Sequence, residues 1–140
     1  MTKNQNKKQL NGKEVKKRKK RGYDAERELV KELRDAGFMA LRIPVSAPSS
    51  EPLPDVFAVK GNTILAIEVK SQEGYAYFKE RQIDKLNQFL SIHKIYPKRF
   101  AILAAKFKRR GWSFIIAKEN KDYSLKKGGG LSLKNFLKNI

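Results

Sequence analysis

Two short motifs hold the residues best suited to chemistry. Pro54-Asp55 opens the stretch PDVFAVKGNTILAIEVKSQ, and Glu68-Val69-Lys70 stands near its end. Side chains alternate faces along a strand. Glu68 and Lys70 therefore share one face with Ile64 and Ala66, and Leu65, Ile67 and Val69 take the other. Gly61-Asn62 reads as a two-residue turn between two strands. That turn sets Lys60 against Thr63, and continuing the pairing sets Asp55 opposite Glu68, with Cβ atoms about 4.5–5.5 Å apart. A turn of another length would shift this register. Two carboxylates so placed repel each other unless something positive lies between them. A divalent cation meets that need, and Lys70 beside it supplies further positive charge. Taken singly, the same residues also read as a turn aspartate after proline and an exposed strand-end ion pair.

The rest of the composition narrows the chemistry. The 140-residue chain has no cysteine, which excludes disulfides, thiolate metal sites and a thiol nucleophile. Its one histidine, His93, argues against a His-rich metal site or a serine triad. Carboxylate ligands favour hard ions, Mg²⁺ first and Mn²⁺ as its substitute. No small-molecule cofactor is called for.

Thirty-two basic residues stand against 14 acidic ones, for a net charge of +18. Such an excess suits a polyanionic partner. Nucleic acid is the first candidate, an anionic membrane surface the second, and a merely basic soluble protein the plain alternative. The longest apolar run, Phe100–Ala105, is far short of the roughly 18 residues a span requires. The basic N-terminus lacks the apolar segment of a signal peptide. These features predict an intracellular protein that spans no membrane.

The charge is uneven. Residues 1–21 hold ten Lys or Arg against the single acid Glu14. With only Leu10 and Val15 strongly apolar, this segment reads as a disordered basic arm. It could bind phosphates by counterion release or be a solvated tail. The folded part, 22–140, reads as one domain. A helix over YDAERELVKELRDAGF puts Ala25, Leu29, Leu33 and Ala36 on one face. FMALRI reads as a strand, PVSAPSSEPLP as a loop, and the Asp55–Lys70 hairpin follows. A second helix over YFKERQIDKLNQFLSIHKIY carries the stripe Ile83, Leu86 and Leu90. RFAILAAKF and WSFIIAK read as strands joined by a basic turn, with Trp112 and Phe114 as packing residues. SLKNFLKNI closes the chain as a helix with Ser132 at its N-cap. The order α-β-β-β-α-β-β-α predicts an α/β fold, a mixed central sheet flanked by helices.

Pro54-Asp55 with Glu68-Val69-Lys70 resembles the PD-(D/E)xK nuclease superfamily, whose fold is restriction-endonuclease-like. The segments RGYDAERELV, GFMALRIPVSAPSS, PLPDVFAVKGN and LAIEVKSQ together resemble the archaeal Holliday junction resolvases in order and spacing. The likeness is strong from Arg21 to Gln72, and the remaining element order agrees. It implies a homodimeric, Mg²⁺-dependent endonuclease that makes paired symmetric cuts in four-way branched DNA. Glu26, Asp55 and Glu68 match metal and catalytic acids, and Lys70 matches the catalytic lysine. Ser46 matches a serine near the scissile phosphate, and Arg42 a basic residue near the site. The Val69 carbonyl could add a metal ligand. Arg21, Lys79, Arg81, Lys108, Arg109 and Arg110 suit contacts to the DNA backbone. Gln82 follows the core as a glutamine does in several related nucleases, and Gly74–Phe78 reads as a mobile loop. The implied setting is an archaeal cell or a virus replicating in one. Another PD-(D/E)xK nuclease, or a non-catalytic basic DNA-binding module, is the alternative.

Overall fold

The structure, a computed structural model, describes residues 11–44 and 50–140. The elements are α1 (Gly12–Asp35), β1 (Met39–Arg42), β2 (Val56–Lys60), β3 (Thr63–Gln72), β4 (Tyr75–Phe78), α2 (Glu80–Ser91), β5 (Lys98–Phe107), β6 (Gly111–Ala117), β7 (Tyr123–Lys126) and α3 (Leu133–Lys138). Five strands form a mixed sheet in the order β1-β2-β3-β5-β6. β3 and β5 run parallel, and the other neighbours are antiparallel.

Helices cover both faces. α1 and α3 pack on one side, where Leu29, Leu33, Leu65, Ile67, Ile102 and Phe136 are buried together. α2 packs on the other, with Ile83 and Leu86 against Ile64, Ala66 and Leu103. β3 lies at the centre of this sandwich and is therefore apolar on both faces from Thr63 to Ile67, the pattern of a strand with no solvent side. Each fully buried Leu, Ile or Phe contributes about 1.5–3 kcal/mol, so the hairpin that carries the acids is anchored from two sides. Trp112 and Phe114 do pack. Phe114 stacks on Trp112 and on Phe136, at 5.8 and 4.3 Å between ring centres.

Three local features differ from the sequence reading. Among the described residues, helical structure extends back to Gly12 rather than starting near Gly22, because α1 continues through the basic segment. Lys, Arg and Glu are good helix formers, a helix already nucleated by its packed turns extends easily, and Asn11 caps it by accepting from the Glu14 amide at 2.9 Å. Residues 1–10 of the expected arm lie outside the described residues. Second, Tyr75–Phe78, expected as a mobile loop running into the second helix, is a strand paired with Tyr123–Lys126 in a separate two-stranded sheet. Its alternation explains this: Ala76 and Phe78 are buried and Tyr75 and Tyr77 are exposed. Third, α2 accordingly starts at Glu80. Its first turn is pinned by Asp122, which accepts from the Glu80 amide at 2.7 Å and from the Tyr77 hydroxyl at 2.6 Å.

Candidate active site

The hairpin turn is Gly61-Asn62, with Gly61 at φ 57° in the left-handed position that glycine supplies without strain. The register runs from Lys60 opposite Thr63 to Val56 opposite Ile67. Asp55 and Glu68 are the next residues outward. The regular ladder stops there, and Asp55 is fixed by two other bonds. Its amide donates to the Ile67 carbonyl at 3.1 Å. Its Oδ2 accepts from the Val69 amide at 2.8 Å. The two carboxyl groups act on each other directly, and the Asp55 charge adds to the burial that makes Glu68 hold a proton more tightly.

Glu26 comes from α1, one turn before Leu29 and Val30 on the buried face. It is 8% exposed and in contact with Asp55. Its Oε2 accepts from Arg42 Nε at 2.7 Å. The Arg42 guanidinium lies over the Tyr23 ring at 4.4 Å. Lys70 stands two residues beyond Glu68 on the same face, its Nζ 5.5 Å from the centre of the Phe78 ring. Gln82 accepts from the Lys79 amide at 3.0 Å, capping α2, and points its Nε2 at Glu68 Oε1 at 3.4 Å.

All three acids are less acidic than usual. Burial raises Glu68 well above the ordinary glutamate range, and the Asp55 charge adds to it. Burial raises Asp55 too, opposed first by the Val69 amide. Burial raises Glu26, opposed by Arg42. Among the described residues, no three acids converge as a ready-made ion cage, and Glu26 is turned onto Arg42. Even so, the donor set fits a hard divalent cation. Asp55 and Glu68 are half-buried neighbouring carboxylates whose charges oppose each other, and a dication between them would discharge the repulsion.

The remaining residues sort by position. Arg21, Lys108, Arg109 and Arg110 line one groove that ends at Lys70. Lys79 and Arg81 are exposed at the start of α2 and are not part of that lining. Ser46 lies outside the described residues. Arg18 and Lys106, which also line the groove, escape sequence reasoning. Lys106 is seen only once β5 lies beside β3, where it faces Ser71 across the sheet. Tyr23 and Asp122 carry no signal in the sequence at all.

Residues 17–140 match the family model described as "Archaeal holliday junction resolvase (hjc)". The chain is 43% identical over 118 residues to crossover junction endodeoxyribonuclease Hje of Sulfolobus acidocaldarius, covering 83% of this chain and 84% of that protein. It is 47% identical over 103 residues to the Hje of Saccharolobus solfataricus, covering 72% of this chain and 75% of that one. The solved structure of Archaeoglobus fulgidus Hjc, a Holliday junction resolvase, superposes with a TM-score of 0.62 at 30% identity, over 76% of this chain and 89% of that one.

Proposed function

Because this chain belongs to the archaeal Holliday junction resolvase family, we infer that it is a crossover junction endodeoxyribonuclease, hydrolysing phosphodiesters in branched DNA. Membership in this family implies dependence on a divalent metal. The observation that carries the reading at the level of the site is the contact of Asp55 with Glu68 at the end of the hairpin, with Lys70 beside them.

The roles follow from position. Asp55 and Glu68 hold Mg²⁺, with the Val69 carbonyl as a further ligand. When bound, the ion supplies Lewis-acid polarisation of the phosphate and offsets the charge of the transition state. Lys70, on the same face as Glu68, orients the attacking water and faces the developing negative charge. Glu26 completes the acid set once Arg42 turns to a DNA phosphate. Arg42 is suited to that exchange, since guanidinium pairs with carboxylate and phosphate alike. Ser46 contacts the scissile phosphate. Arg21, Lys79, Arg81, Lys108, Arg109 and Arg110 hold the backbone of the arms without reading sequence. Residues 22–140 act as one nuclease domain, and the basic segment ahead of it adds to binding.

Two opposed strands must be cut, so a homodimer is proposed. An uncovered apolar face supports it. α2 lies over β3 and β5, touches β2 through Phe89 against Phe57 at 5.6 Å between ring centres, and leaves the β1 edge open. Met39 pairs with Val59 and Leu41 with Phe57 on that face. Met39 is 77% and Leu41 54% exposed. In a chain this charged, such a patch is where a second copy would sit. No helix among the described residues is long and apolar enough to cross a membrane. Action inside an archaeal cell, or in a virus replicating in one, goes with this substrate.

The test is direct. A labelled four-way junction and a linear duplex of matched sequence are incubated with the protein in Mg²⁺ or EDTA. Paired symmetric cuts in the junction alone, abolished by EDTA, are expected. Equal cutting of the linear duplex would point to a general nuclease, and binding without cutting in any metal would remove the enzymatic reading.

A further inference from the structure

The first turns of α1 and the β5–β6 turn face one another across a single groove. Arg18 and Arg21 form one wall, and Lys108, Arg109 and Arg110 form the other. Lys70 and Gln72 lie along its floor, so it opens onto the candidate active site. Its volume, about 1100 Å³, is at the upper end of what a small ligand needs, and it is open to solvent along its length. Glu73 is the one acid in the lining, and it stands 3.9 Å from Lys108. Both walls are exposed.

The helical wall is unusual on its own terms. Residues 12–21 bury nothing. They place Lys13 with Lys17, Lys16 with Lys20, and Lys17 with Arg21 one turn apart. Like charges at that spacing oppose the helix. A polyanion laid along it would attract both members of every such pair and offset their repulsion.

The dimensions suit a duplex. Arg18 lies eight residues before Glu26, about 12 Å along the helix axis, and Gly12 lies about 21 Å away. One strand of duplex DNA has a phosphate about every 3.4 Å. Arg21, five residues before Glu26, lies about 7.5 Å away, so for an arm running along the helix the arginine wall reaches phosphates roughly two to four base pairs from the one at the acids. The stretch ahead of residue 17 also precedes the part of the chain that matches the family.

We propose that the amino-terminal turns of α1, through Arg18 and Arg21, and the β5–β6 turn are the two walls of a seat for one duplex arm. They grip its backbone roughly two to four base pairs from the cut. This rests on the resolvase reading for the identity of the polyanion.

The test uses the full chain carrying Asp55→Asn to block cutting. The scissile phosphate is first mapped on the junction with wild type in Mg²⁺. Single methylphosphonates, which remove one backbone charge, are then walked outward along the arm, and affinity is read by fluorescence anisotropy. Neutralising phosphates about two to four base pairs out is expected to weaken binding at least about threefold each. In the Arg18→Ala, Arg21→Ala background the same substitutions should cost nothing further, and the salt slope should fall by about 0.9 per lost contact. Lys134→Ala with Lys138→Ala, an equal loss of charge on α3, should leave the walk unchanged. The seat is overturned if those distant phosphates cost nothing in the parent. It is equally overturned if they cost as much with Arg18 and Arg21 removed. Failure of the resolvase reading would appear separately, as equal wild-type cutting of linear duplex.

Discussion

The Val69 amide donates to Asp55 Oδ2 across 2.8 Å, so the strand that carries Glu68 also holds the carboxylate facing it. Asp55 takes the place of a backbone acceptor just where the β2–β3 ladder ends. Neither acid is free to swing away, and the site's geometry is as rigid as the hairpin beneath it.

That confinement has a cost that depends on pH. Glu68 ordinarily titrates near 4.5 and is pushed well above it in the folded site, by burial first and Asp55 second. Below the ordinary value both folded and unfolded chains hold the proton. Above it the unfolded chain releases the proton while the folded site keeps it, so stability falls as pH rises through the folded pKa. Glu68→Gln removes this slope. In EDTA, the urea midpoint of wild type is expected to drop relative to that variant between about pH 4.5 and 8. Mg²⁺ should restore it at the upper end. Parallel curves for the two proteins would show that the pair is not strained.

Arg42 is the counter-charge that makes the buried Glu26 tolerable. Arg42→Ala leaves that carboxylate without its 2.7 Å partner and is expected to cost about 1–3 kcal/mol in urea unfolding. Glu26→Gln in the same background should recover part of the loss, since a neutral amide needs no cation. A double-mutant cycle with no coupling would place the two side chains apart in solution.

The open β1 edge should govern assembly. Met39→Asp with Leu41→Asp puts charge on an exposed apolar patch that carries no fold contacts of its own. The dimer dissociation constant is expected to rise at least about tenfold, read by analytical ultracentrifugation. Junction cuts should become single, unpaired nicks. An unchanged dimer would move the interface elsewhere.

Much of this was legible in the sequence because it depends on short-range rules. The Gly61-Asn62 turn and the period-two alternation give the register from Lys60–Thr63 to Val56–Ile67, and Asp55 and Glu68 are the next residues outward. The α1 stripe likewise follows from helical spacing. What was not legible depends on distant parts meeting. Arg42 reaches Glu26 across 16 positions. Arg18 and Arg109 line one groove because β5 lies next to β3. The β4–β7 ribbon was missed because two four-residue strands give too few alternations to separate from a loop, and Tyr77-Phe78 ran smoothly into a helical pattern. The extension of α1 was missed because charge argued for disorder where helix propensity and the Asn11 cap prevail.

The central claim is that Asp55 and Glu68, joined across the hairpin, are the catalytic acids of the site. Asp55→Asn and Glu68→Gln keep the shape of each side chain and one acceptor oxygen, enough for the Val69 amide at position 55, so both should fold. The decisive measurement compares their affinity for a four-way junction with their rate of cutting it in Mg²⁺. Junction affinity within a few-fold of wild type, with cleavage slowed at least about 10²–10³-fold, is the expected result. Cleavage near the wild-type rate by either variant would contradict it.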